Sequence, residues 1–384
     1  MTKRRALFIC FTPFHLFHAC YYASQDCWTK EDERVLVWQN TSDSEIDLRY
    51  FVHLFSGYLE IRGFQRERGI RRQVHKLIDA GRLFRFSRLA AYTENASELI
   101  VFSFNDQELI NSRFLAYIQE KGLKARSILV EEGLGTYAGA IRREYTITAR
   151  LVNKLLGVHL PQGIGSSPVI DILLVKHPEW MPGEKLCARE VIRQSNIFAD
   201  PAWFGRLGTL ENKVRHILRE TDHKRTVLWL GQPNQETGVS TEDEKALLLY
   251  LCNNMGSEYR FAIKRHPREE THKYDDIARQ TGAEQLELGE FSWMPVEFAA
   301  HMLDVFMAVT LYSSAPVNLL EIGAAEYAVY TYKLFDLTLD ESLSAHIARD
   351  QRALIPCSGH ELKAVVDLGR TENRRKRQKD RWHE

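Results

Sequence analysis

The run Arg260-Phe261-Ala262-Ile263-Lys264-Arg265-His266-Pro267 is an apolar strand pattern that stops at a lysine, a histidine and a proline. Lys264 and His266 lie two residues apart, on one side of an extended chain. Downstream come Glu297 and a hydroxyl pair, Ser313-Ser314, where another apolar run ends. One cation, one imidazole tunable near neutrality, one carboxylate and two hydroxyls can hold a phosphate and its ribose. A departing nucleotide phosphate gains charge, and Lys264 with a protonated His266 can stabilise it. The set therefore predicts a nucleotide-sugar transferase site.

Each motif also has a plainer use. A serine followed by proline is an ordinary helix start, although the same free N–H groups bind phosphate. His-Pro alone carries little, because Lys176-His177-Pro178 repeats it after another apolar run with no hydroxyl pair in register behind it. Glu297 opens a helix pattern, where the dipole alone would suit a carboxylate; its ligand role would be to accept from ribose hydroxyls. In the first half, Glu131-Glu132-Gly133 follows a buried-looking strand. Adjacent carboxylates are costly unless solvated or used, and either can serve as general base for an acceptor hydroxyl. A solvated turn would use the same residues. Thr12-Pro13-Phe14-His15 follows the first strand and either lines a sugar site or only starts a helix.

The elements that must position these groups alternate. Strand patterns at 6–11, 35–38, 99–104, 127–130 and 169–175 are separated by helix patterns at 13–23, about 70–92 and 106–121. A second series has strands at 226–230, 261–264 and 305–311, and helices near 242–254, 272–281 and from 315. The first of these strands breaks at Gly231-Gln232-Pro233. Strands separated by helices imply parallel βαβ units, whose ligands bind beyond the carboxyl ends of the strands. The expected organisation is a Rossmann-like domain at 1–190, a connection at 191–224, a second Rossmann-like domain at 225–357, and a terminal helix with a basic tail at 358–384.

At 384 residues the chain fits two domains. Lys+Arg 51 balances Asp+Glu 51, which removes the bulk electrostatic case for nucleic acid. Six cysteines without CxxC spacing read as free thiols in a reducing compartment. No apolar stretch spans a membrane, and the apolar run after Arg5 is too short for a signal segment, so a cytoplasmic protein is expected. Basic residues crowd 62–88 (Arg62 to Arg88) and 374–381, either as solvated faces or as peripheral contacts to anionic lipid or a phosphorylated acceptor. The chain has no D-x-D and no metal-spaced His/Cys/Asp cluster, which favours a nucleoside monophosphate leaving group over a metal-clamped diphosphate. It also lacks a G-x-G-x-x-G after the first strand, which argues against a dinucleotide oxidoreductase.

Together these residues resemble the bacterial CMP-sialic-acid-dependent sialyltransferases: the lipooligosaccharide enzymes of glycosyltransferase family 52, the polysialyltransferases and the marine-type enzymes. Their shared marks are a D/E-D/E-G turn, a K-x-H-P element and an S-S/T pair, matched here by Glu131-Glu132-Gly133, Lys264-Arg265-His266-Pro267 and Ser313-Ser314. Glu297 matches the carboxylate that holds the nucleoside, and Thr12-Pro13 and Gly231-Gln232-Pro233 also look like that group. The resemblance implies an α/β GT-B fold, two Rossmann-like domains facing each other across a cleft. It implies metal-independent inversion with CMP-sialic acid as donor, no cofactor, and a surface glycan (lipooligosaccharide or capsule) as acceptor. His266 would serve the leaving phosphate with Ser313 and Ser314, and Glu131 or Glu132 would be the base. Glu236, Asp243 and Glu244 stand as further candidates, since the lipooligosaccharide branch places an acidic base in the second domain. A homodimer fits that branch. CMP-Kdo transfer, UDP- or GDP-sugar transfer on the same architecture, and a non-enzymatic partner in polysaccharide assembly are the alternatives.

Overall fold

The computed structural model describes residues 3–29, 32–40, 46–62, 92–93, 96–138, 151, 154, 161, 163–186, 189–218, 225–233, 238–286, 288–339 and 341–381. The helix expected at about 70–92, the basic residues from Arg66 to Arg88, Cys187, Glu236 and the side chains of 374–381 lie outside the described residues. The chain divides into two compact units, Met1–Ile197 and Phe198–Glu384, each built on its own sheet.

The first unit has seven strands: β1 (Lys3–Cys10), β2 (Glu33–Asn40), β3 (Gly57–Arg62), β4 (Ala96–Ser103), β5 (Ala125–Val130), β6 (Ile172–Val175) and β7 (Glu190–Arg193). Their order is β3-β2-β1-β4-β5-β6-β7, and every pair is parallel. The strand order reverses between β1 and β4, which is where such sheets leave a crevice for ligands. The charged start Lys3-Arg4-Arg5 belongs to β1. Arg4 and Arg5 pair at 2.5 Å with Asp32 and Glu33, at the sheet end where strands meet solvent. Further in, β1, β4 and β5 are buried apolar runs, as a parallel sheet covered on both faces requires.

The second unit has six: β8 (Arg225–Leu230), β9 (Tyr259–Lys264), β10 (Glu284–Gln285), β11 (Val305–Thr310), β12 (Ala325–Tyr330) and β13 (Ala353–Leu354). The order is β10-β9-β8-β11-β12-β13, again all parallel, with the reversal between β8 and β11. Leu230 is in register with Lys264 on one side and Thr310 on the other. The segments that begin at Gly231, Arg265 and Leu311 therefore leave the sheet at one level. β3, β7, β10, β12 and β13 were not anticipated; they are short or carry polar residues such as Glu60, Glu190, Glu284 and Glu326, so their apolar runs are broken. Among the described residues no helix is long and apolar enough to cross a membrane.

Candidate functional site

In the second unit, Lys264 closes β9 with its side chain buried, and its Nζ donates to the Ser292 carbonyl at 2.7 Å. Burial, helped by the charge of Arg265 and opposed by Glu297, pulls its pKa down to about 8. Glu297 lies in the first turn of the helix Val296–Ala300 and is buried. Its Oε1 accepts from Asn318 Nδ2 at 2.8 Å, so the helix Ala315–Glu321 fixes it. His266 follows β9 directly. The N–H of Arg268 donates to His266 Nδ1 at 3.1 Å, so in the neutral ring the proton sits on Nε2. Pro267 is exposed beside it and supplies no N–H.

The Ser313-Ser314 turn sits after β11. Ser313 Oγ accepts from the Ala315 N–H at 3.2 Å, which leaves its own hydroxyl proton available to a ligand. Ser314 occupies the cap position of the helix Ala315–Glu321 but its side chain makes no capping bond. The plain helix-cap use of the pair is therefore not realised at Ser314. Gln232 holds this turn from β8: its side-chain Oε1 accepts the Tyr312 N–H at 2.9 Å, across the point where the strand order reverses. Gly231 donates to the Lys264 carbonyl at 3.0 Å. A Cβ there would lie 2.3 Å from Glu269 Oε2, so the backbone passes too close for any side chain.

In the first unit the switch point gathers His15, Asn105 and Glu132. Thr12 caps the helix Pro13–Ala23 by accepting the His15 N–H at 3.2 Å, with Pro13 in the first turn. The fully buried His15 ring stacks on Phe104 with centroids 4.7 Å apart, and its Nε2 lies 3.2 Å from Glu132 Oε1. His15 Nδ1 has no hydrogen-bond partner among the described residues, so the neutral ring donates through Nε2. Asn105 Nδ2 donates to Glu132 Oε2 at 2.9 Å. Thr12 and Pro13 thus start a helix, and the helix delivers His15 to the Glu-Glu-Gly turn.

The two glutamates differ. Glu132 keeps its side chain 25% exposed; that of Glu131 is 3% exposed. Glu131 Oε2 accepts the Lys176 N–H at 2.7 Å and the Tyr137 hydroxyl, and Oε1 lies 3.3 Å from Lys176 Nζ. Gly133, at φ 130°, takes a conformation that side chains resist and lets the turn close. The second His-Pro copy has a structural role here: the His177 N–H donates to the Tyr137 hydroxyl at 3.0 Å, and the ring stacks on Trp180. Lys176-His177 therefore anchors Glu131.

Motif reading missed Asn105, Asn318 and the residues Glu269, Lys273 and Tyr274, which form a buried group with Glu244. Glu244, one of the acidic candidates for the base, is wholly buried there. Asp243 instead receives the Ser240 cap and sits at the surface. The Glu269/Lys273 spacing of four was the one legible signal of this group.

No curated protein matches the chain in sequence. The GT-B domain of a Photobacterium damselae sialyltransferase matches with a TM-score of 0.55 at 10% identity, covering 92% of this chain and 99% of that one. A Photobacterium sp. 2,6-sialyltransferase solved in a ternary complex with CMP and lactose gives 0.53 at 10% identity, covering 92% and 78%. The UDP-GlcNAc 2-epimerase of Methanocaldococcus jannaschii gives 0.56 at 10% identity, covering 95% and 92%. These likenesses establish the GT-B fold. The model of the alpha-2,8-polysialyltransferase (POLYST) family matches residues 6–290, the stretch that holds the Glu-Glu-Gly turn and the Lys-x-His-Pro element, and the chain belongs to that family of sialyl-transferring glycosyltransferases.

Proposed function

We propose that the chain transfers sialic acid from CMP-sialic acid to a hydroxyl of a surface glycan, with inversion and without a metal or cofactor. The observation that carries this lies at the carboxyl end of the second sheet. There Lys264 ends β9 and His266 follows it, Ser313 and Ser314 follow β11, and the helix between these strands brings Glu297. Breaking the bond between the sugar carbon and the CMP oxygen places charge on the phosphate. Nε2 of His266 donates to that oxygen, and the Lys264 ammonium and serine hydroxyls stabilise it. Glu297 accepts from ribose hydroxyls. The Glu131-Glu132 pair supplies the base; Glu132, open to solvent and oriented by His15 and Asn105, takes the acceptor proton while Glu131 is spent on Lys176 and Tyr137. Attack from the face opposite the leaving phosphate gives inversion. The family description points to a terminal sialic acid as the acceptor. The basic cation and imidazole take the charge that a metal would otherwise carry, in keeping with a sequence that has no D-x-D.

Thermal protection by nucleotides tests this reading. CMP at about 100 times its Kd adds about 2.7 kcal/mol to the native state and raises Tm. UDP and GDP leave Tm unchanged, and transfer from CMP-sialic acid, not CMP-Kdo, proceeds in EDTA. Protection by UDP or GDP with none by CMP refutes the reading.

A further inference from the structure

Behind the His266 loop lies a charged cluster with almost no contact with water. Lys273 Nζ sits 2.5 Å from Glu244 Oε2 and 2.5 Å from Glu269 Oε1, with side-chain exposures of 4%, 0% and 1%. The Tyr274 hydroxyl lies 2.6 Å from Glu244 Oε1 and 3.0 Å from Glu269 Oε1, and Trp229 Nε1 donates to it at 3.4 Å. Two carboxylates face one ammonium and one hydroxyl proton. Such a group is a poor device for stability alone, because apolar packing of the same volume stabilises as well or better.

Two of its side chains, Glu269 and Lys273, reach the backbone of the segments that leave β9 and β8. Glu269 Oε2 accepts the His266 N–H at 2.6 Å, and the Glu269 N–H donates to the His266 carbonyl at 3.0 Å. The Arg265 guanidinium donates to the Glu269 carbonyl at 2.7 Å. Lys273 Nζ donates to the Gln232 carbonyl at 3.2 Å, and Gln232 in turn holds the Tyr312 N–H. Gly231 leaves no side chain between its backbone and the cluster. One buried group thus ties together the segments that leave β8, β9 and β11.

We propose that Glu269 and Lys273 are positioning residues of the donor site, setting the His266 backbone directly and the Tyr312–Ser314 turn through Gln232. This rests on the donor-site reading above. Neither residue touches the nucleotide. Their effect is to hold Nε2 of His266 and the serine hydroxyls where a phosphate can meet them together.

The test uses the full chain with Glu269→Gln, which keeps an acceptor oxygen and loses the charge, and Tyr274→Phe, which keeps the packed shape and so the fold. CMP affinity is measured by calorimetry, and KM for CMP-sialic acid and for a sialylated oligosaccharide by transfer. CMP Kd and donor KM rise about tenfold in Glu269→Gln and about threefold in Tyr274→Phe, the scale of losing or weakening a charge-assisted hydrogen bond. Acceptor KM stays within about twofold, because the acceptor-side residues are untouched. Donor constants within about twofold of wild type in both variants overturn the proposal, as do donor and acceptor activities that fall together with the folded fraction. A wild-type chain that binds no CMP overturns the donor-site reading and this assignment with it. Wild-type binding with unaltered variants overturns this assignment alone.

Discussion

Lys264 gives the donor site a measurable cost. Its ammonium is buried at a pKa of about 8 against an ordinary 10.5, and at about 1.4 kcal/mol per pH unit the gap is about 3 kcal/mol. Below pH 8 the lysine is charged in both folded and unfolded chains, and the folded state bears this cost in full. Between pH 8 and 10.5 the unfolded chain binds the proton and the folded chain does not, so stability rises with pH. Lys264→Met removes the cost at neutral pH. It also strips the Ser292 carbonyl of its donor, which returns about 1–2 kcal/mol. The ligand-free variant is then about 1–2 kcal/mol more stable than wild type, with Tm higher by about 2–6 °C. A phosphate beside Lys264 reverses the balance by favouring the charged amine. CMP binding then takes up a proton above pH 8, and affinity falls by up to about tenfold per pH unit. Lys264→Met loses that slope and binds CMP about 10- to 100-fold more weakly near neutrality. Calorimetric titration across this pH range, in buffers of different ionisation enthalpy, counts the proton; scanning calorimetry reads the stability. Proton-neutral CMP binding by wild type at about pH 9, or a ligand-free variant no more stable than wild type, refutes the argument.

His266→Ala keeps the fold, weakens CMP binding about tenfold and lowers single-turnover transfer about 10²- to 10³-fold, and an unchanged rate removes His266 from the leaving-group step. Glu132→Gln lowers transfer about 10²- to 10⁴-fold at nearly wild-type Tm, whereas Glu131→Gln loosens the Lys176 anchor and costs about 1–3 kcal/mol; the reverse pattern assigns the base to Glu131. Gly231→Ala drives a methyl into Glu269 and Tyr274, so thermal melts show a loss of about 1–3 kcal/mol and CMP titrations a weaker Kd. A Gly231→Ala chain with wild-type values for both means that the buried cluster yields without consequence.

The parts of the site legible in sequence were those tied to strand ends. β8, β9 and β11 are buried throughout and read as apolar runs, so Gln232, His266 and Ser313 stood out as the polar residues that follow them. The orienting groups were illegible for a physical reason. Glu244 in the first turn of the helix Thr241–Asn254 has the pattern of a solvated, dipole-stabilised glutamate; only its contact with Lys273 from beyond β9 reveals a buried one. The second His-Pro copy was opaque in another way. Its backbone N–H groups bond Glu131 and the Tyr137 hydroxyl, and the Lys176 ammonium pairs with Glu131 only once β5 and β6 lie side by side. Thr12-Pro13 was ambiguous because both of its readings meet in one element: the cap fixes the helix, and the helix brings His15 to Glu132.

The same division of labour appears in both sheets, and it accounts for where charge is placed. At the switch between β1 and β4, Asn105 and His15 both present N–H groups to Glu132 and so orient that carboxylate. At the switch between β8 and β11, the carboxylates of Glu244 and Glu269 are buried against Lys273, while Lys264, His266 and the serine hydroxyls follow the strand ends together with Glu297. Glu269 accepts the His266 backbone N–H and so fixes the loop that carries the ring. Under the proposed function, one switch point accepts the acceptor's proton and the other donates to phosphate. The polarity is set by which side of the backbone the buried partners occupy.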